Sequence, residues 1–109
     1  MIDVEVIEDR AVAVSALDPV RARLLAALAE PGSAATLAAR FGMGRQKVNY
    51  HLRALEGHGL IHPAGERRWG GLTERLFVAS AASYVVSPGA LGEVANDPPA
   101  HRTGSRPAT

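Results

Sequence analysis

The chain has 109 residues, a formal net charge of +1 and no cysteine. That length fits one domain with a core able to stand without staples. The absence of cysteine excludes a disulfide framework, a thiolate metal site and a thiol redox switch. No apolar run approaches a membrane span, and the acidic start MIDVEVIEDR lacks the basic, apolar pattern of a secretion signal. The expected location is the cytoplasm, with no membrane partner. Charge is unevenly spread. Residues 1–30 hold six acids against three arginines, whereas residues 40–75 hold seven bases against three acids. Such asymmetry suits a chain with one face toward a polyanion, although an ordinary solvated surface can also show it.

The first segment is ambiguous. Ile7, Ala11 and Val14 fit a helix, while Val4/Val6 and Val12/Val14 alternate like strands. We read a helix from about Glu8 to Ala16. Asp18-Pro19 is a strong helix start, because Asp caps free amides and proline suits the first helical position. Val20, Leu24, Leu25 and Leu28 form the apolar stripe of this second helix, and Glu30-Pro31-Gly32 stops it. Ser33 caps a short helix over Ala34–Phe41 that buries Leu37 and Phe41. Gly42-Met43-Gly44 is a tight turn. A fourth helix runs from about Arg45 to Glu56, with Val48, Leu52 and Leu55 inward, and Gly57 and Gly59 end it.

The period then changes. Leu60–Pro63 reads as a strand, Ala64–Gly71 as a Gly-rich loop and Leu72–Ala79 as a second strand, together a β-hairpin with a basic tip. Ser83–Ser87 fits either a strand or an extended linker. Pro88–Ala95 fits a last short helix. Asn96 onward is proline-rich and reads as a disordered tail, so the expected domain is 1–95 and the tail 96–109.

Two short helices joined by a glycine turn, the second crowded with polar residues at its start, match a helix-turn-helix. With Val48, Leu52 and Leu55 inward, the outer face shows Arg45, Gln46, Asn49, Tyr50 and Arg53. Gln and Asn pair bidentately with adenine edges, and Arg with guanine. Lys47 and Arg40 suit phosphate contacts, which position without specifying. A solvated amphipathic helix is the plainer alternative for that helix alone. The following hairpin, with Arg67, Arg68 and Trp69 in its loop, favours a wing beside it. Trp69 fits either a cover for the hairpin base or a DNA contact.

Here a resemblance becomes specific. DPVRARLLAALAEPGSAATLAARFG, then RQKVNYHLRALEGHGLI and the hairpin behind it resemble the ArsR/SmtB-type winged helix-turn-helix regulators of bacteria. Within the fourth helix the shared pattern is Val48, Asn49-Tyr50, His51-Leu52, Leu55 and Gly59-Leu60. The resemblance implies a mostly α fold with one small hairpin: four helices, two strands and a fifth helix, in that order. It implies a homodimer held by its first and last helices, a pseudo-palindromic double-stranded DNA operator, and base contacts near Gln46, Asn49 and Tyr50. For His51 it implies packing or a phosphate contact. Metal-sensing members carry a cysteine pair on the helix before the turn, but Ala34–Phe41 has neither cysteine nor histidine. The last helix lacks histidine too. No intrinsic cofactor is therefore expected. A metal-responsive system, such as one for nickel, would need a separate sensor protein or a shared site.

The histidines do not supply a ready metal site. His58 and His62 are four apart, but that step crosses a helix end and a strand start. His101 falls in the expected tail. The chain has no His-Glu-x-x-His, no nucleophile elbow and no Gly-rich phosphate loop of the usual form, so no enzymatic activity is expected. A winged-helix module docking an acidic protein is the alternative to DNA binding.

Overall fold

The computed structural model describes residues 2–90. Its elements are β1 (Ile2–Ile7), α1 (Arg10–Leu17), α2 (Pro19–Ala27), α3 (Ala34–Phe41), α4 (Arg45–Gly57), β2 (Ile61–Trp69), β3 (Leu72–Ala79) and β4 (Ala81–Val86). Residues 88–90 turn helically after β4.

Three of the four helices start on a side-chain cap. Asp9 accepts from the Val12 amide at 3.1 Å, Asp18 from Arg21 at 3.0 Å and Ser33 from Thr36 at 3.1 Å. Each bond satisfies an amide with no partner inside the helix. Pro19 follows Asp18 at the start of α2. Gly42 ends α3 with φ of 63°, a left-handed conformation that glycine takes without steric cost. The chain then re-enters a helix at Gly44, so α3 and α4 are separated by one short turn.

The core lies where α2, α3 and α4 meet the base of the hairpin. Leu24 of α2 and Leu28 at its C-terminal cap, Val48, Leu52 and Leu55 of α4, and Leu60 and Ile61 are all essentially without solvent contact. Burying such a side chain is worth about 1.5–3 kcal/mol. Four-residue spacing along α2 and α4 puts these residues on one stripe of each helix. The hairpin is fastened to this core through its backbone. Gly32 and Phe77 exchange two hydrogen bonds of 2.9 and 2.8 Å, and the Ala79 amide donates to Leu28.

The structure departs from the sequence expectations in two places. The element order begins with a strand rather than a helix, and the first helix starts at Arg10 rather than Glu8. β1 pairs in parallel with β4, Val4 beside Ser83 and Val6 beside Val85. That partner lies about eighty residues away in sequence, so no local pattern announces it. The same pairing makes Ala81–Val86 a strand.

The second departure is the hairpin. Residues 64–69, expected in a loop, continue β2 as an antiparallel partner of β3 as far as Trp69↔Leu72. Ala64 is the extra residue of a bulge between Pro63 and Gly65, and Pro63, which cannot donate to a ladder, sits opposite Phe77, whose own N–H and C=O bond to Gly32 instead. The turn shrinks to Gly70-Gly71, with φ of 58° and 82°. Positive φ at both central residues is the tight hairpin turn whose twist matches the strands. Of the expected last helix only 88–90 is described, and there the chain does turn helically. Residues 91–95 and the expected tail, His101 included, lie outside the described residues.

Candidate nucleic-acid interface

α3 and α4 pack against each other, and α4 also touches α2 and β2. These contacts consume one side of α4 and leave the other open. Val48, His51, Leu52 and Leu55 are buried. Arg45, Gln46, Lys47, Asn49, Tyr50 and Arg53 are exposed. All five residues expected to read bases therefore share the open side, with Tyr50 65% exposed.

The start of α4 is electrostatically unfavourable by itself. It has no side-chain cap and no acidic residue in its first turn. Instead it carries Arg45 and Lys47, where the helix dipole favours negative charge. An anion against this turn would relieve both defects. Arg40 is exposed at the end of α3, its guanidinium 5.4 Å from the Phe41 ring.

His51 behaves differently from its neighbours. It is 8% exposed, and its Nδ1 accepts a 3.1 Å hydrogen bond from Nε of Arg21. Of the two roles the resemblance allowed, the geometry carries packing. Burial first, then the nearby Arg21 charge, hold its pKa below the usual histidine value; Asp18 opposes this and Lys47 adds to it.

The hairpin arginines are strand residues and not tip residues. Arg67 pairs with Glu74 and Arg68 with Thr73 across the ladder. Neighbours on a strand point to opposite faces, so Arg67 and Arg68 cannot present one joint surface. Nη2 of Arg67 reaches back to Thr36 Oγ1 of α3 at 3.2 Å and Glu74 Oε1 at 3.1 Å. That arginine braces the hairpin against α3. Trp69 is the last residue of β2, paired with Leu72.

Two residues of β3 join the site unforeseen. Thr73 and Arg75 line a cleft of about 240 Å³ together with Arg45, Asn49 and Arg53 of α4. Arg75 lies 4.8 Å from the Phe77 ring and 3.8 Å from Glu56. The signal was present in the sequence. Thr73 and Arg75 share the parity of Phe77, and a buried Phe77 turns that face of β3 toward the helices.

The histidines are dispersed in function. His62 Nδ1 lies 3.2 Å from Ser80 Oγ, and His51 is committed to Arg21. Among the described residues no group of three or more His, Cys, Asp or Glu is placed to hold a metal ion. No described helix is long and apolar enough to cross a membrane.

The family model of a helix-turn-helix domain matches residues 16–64. The match takes in α2, α3, α4 and the start of β2. With the antiparallel β2–β3 pair directly behind it, the arrangement fits a winged helix-turn-helix. A helix-turn-helix domain suggests a DNA-binding transcription regulator. Among curated proteins no match is found.

Proposed function

We propose that the chain is a sequence-specific transcriptional regulator of the ArsR/SmtB type that binds a pseudo-palindromic operator as a homodimer. The observation that carries this reading is the division of α4. Its apolar side is fully used by the core, and its open side gathers Arg45, Gln46, Asn49, Tyr50 and Arg53. Gln46 and Asn49 read adenine edges, and Arg45 and Arg53 guanine edges. Lys47, Arg40 and Arg75 hold phosphates. Arg68 and Trp69 belong to the wing's contact with the duplex, and Arg67 sets the wing's position. Two copies would present their α4 helices to half-sites about 10 bp apart.

The signal input belongs to a separate sensor protein in this reading. Its support is that α3, the ligand helix of the resembling metal sensors, carries neither cysteine nor histidine. Sensing of nickel or another metal would then act through that partner. Tight stoichiometric binding of nickel, zinc or cobalt to the full chain would overturn this part.

Selection from random duplexes tests the DNA reading. The expected result is one enriched motif with two related half-sites and a footprint over both. Equal binding to random and selected duplexes would overturn it. One stoichiometric protein partner without any footprint would mark an interaction module instead.

A further inference from the structure

The open side of α4 divides into two strips. Arg45, Asn49 and Arg53 recur every four residues and line the cleft in front of β3, whereas Gln46, Lys47 and Tyr50 do not. β3 closes the cleft from the other side with Thr73 and Arg75. Three arginines from two elements thus border one concave space of about 240 Å³. That space admits a phosphate group together with several waters, each of which takes about 30 Å³.

The positive charge of the cleft is not neutralised from within. Arg45 and Arg53 have no acidic partner among the described residues. Glu74 also lines the cleft, but its Oε1 lies 3.1 Å from Nη2 of Arg67. Arg75 meets Glu56 at 3.8 Å, and both side chains are partly exposed. Such a pair is worth little and yields to a stronger anion. Leu52 and Phe77, both buried, form part of the wall. An apolar wall keeps water from one side of the cleft, which strengthens the pull of the cations. Guanidinium forks match phosphate oxygens two at a time, and Asn49 and Thr73 can add neutral donors.

We propose that this cleft is a phosphate pocket in which Arg45, Arg53 and Arg75 grip one phosphate group jointly. The inference rests on the DNA reading above and changes one part of it. Arg45 and Arg53 hold the backbone rather than guanine edges, so they position α4 without specifying sequence. Reading then falls to Gln46, Asn49 and Tyr50. The wing takes part through the inner strand β3 as well as through its tip. Free inorganic phosphate carries the same chemistry and fits the same place.

The test uses the full chain as wild type, Arg53→Ala, Arg75→Ala and the double variant. All alter exposed residues, and circular dichroism confirms that each stays folded. On the selected operator, ethylation of one phosphate in each half-site should block the wild type and cease to matter to the double variant. Each single variant should bind operator and scrambled duplex about tenfold more weakly, leaving the preference between them unchanged. The double variant should depart from the product of the two single effects by at least about threefold, because two groups on one phosphate are coupled. Arg75→Ala combined with Lys47→Ala, on the other strip, should simply multiply. A loss for Arg53→Ala confined to the operator returns that residue to guanine and overturns the proposal. Effects of Arg53→Ala and Arg75→Ala that multiply overturn it too. Inorganic phosphate at constant ionic strength distinguishes the source. If no duplex binds, yet phosphate raises the Tm of the wild type and not of the double variant, the DNA reading fails alone and the pocket stands for a free anion. If no duplex binds and the two proteins respond to phosphate alike, the pocket fails as well.

Discussion

Nε of Arg21 donates a 3.1 Å hydrogen bond to Nδ1 of His51, which joins α2 to the buried side of α4. The same guanidinium donates through Nη1 to Ser15 Oγ of α1 at 2.9 Å and lies 5.7 Å from the Tyr50 ring. One side chain therefore ties three helices together behind the candidate reading face. Asp18 caps the amide of Arg21 and fixes where this side chain leaves α2.

Because Nδ1 accepts, His51 is neutral with its proton on Nε2. Its folded pKa lies below the ordinary value of 6.5. The unfolded chain then binds the proton more readily, so protonation favours unfolding. The stability from this group is complete above pH 6.5 and is lost as pH falls through the lowered folded value. Urea midpoints of the wild type should fall over that window. His51→Gln, with no titrating ring, should flatten that part of the profile; an unchanged slope would contradict the account.

Arg21→Ala should destabilise the fold by about 1–3 kcal/mol, since it leaves His51 Nδ1 and the buried Ser15 hydroxyl without their donor. Arg21→Lys should rescue little, because one ammonium cannot reproduce the two-armed geometry. Chemical denaturation of both variants checks this.

The two sides of α4 should separate cleanly under mutation. Leu52 is 2% exposed, and Leu52→Ala should cost about 2–5 kcal/mol of stability. Asn49, three residues earlier, is exposed, and Asn49→Ala should stay within about 0.5 kcal/mol of wild type. A melting series on the two variants decides the point.

Much of this was legible in the sequence where chemistry is local. Asp18-Pro19, Ser33 and Gly42 mark helix ends because caps act within three or four residues, and the stripes of α2 and α4 follow from helical period. The strand β1 was only half legible, since Val4 and Val6 alternate like a strand but nothing local decides that reading against a helix. Its alternating Ile2, Val4 and Val6 face outward, each at least half exposed, and its partner β4 lies at the far end of the described chain. The length of the wing was misread although Gly70-Gly71 held the clue, for two adjacent glycines between strands mark a two-residue turn. The open residues of α4 followed from helical period once its buried stripe was assigned. Arg75 was legible only through its shared parity with Phe77 on β3, a signal that the reading of the hairpin as a loop and a short strand passed over. The inward turn of His51 depends on Arg21, thirty residues away in sequence.

The wing's brace is a weak, exposed interaction. Arg67→Ala should change global stability by less than about 1 kcal/mol, because its side chain is 49% exposed. It should nevertheless speed amide exchange in the outer part of β2 and β3, where the bonds to Thr36 and Glu74 are lost. Exchange rates equal to wild type there would show that Arg67 does not hold the wing.

The central claim is that the open side of α4 reads DNA sequence. It is tested most directly by measuring wild type, Asn49→Ala and Lys47→Ala on the selected operator and on a scrambled duplex across a range of salt. Wild type should prefer the operator, with log affinity falling linearly in log salt. Asn49→Ala should lose about 1–3 kcal/mol on the operator alone. Lys47→Ala should weaken both duplexes alike and reduce the salt slope by about 1. Equal wild-type affinity for the two duplexes, or an Asn49→Ala variant that keeps full preference, would contradict the account.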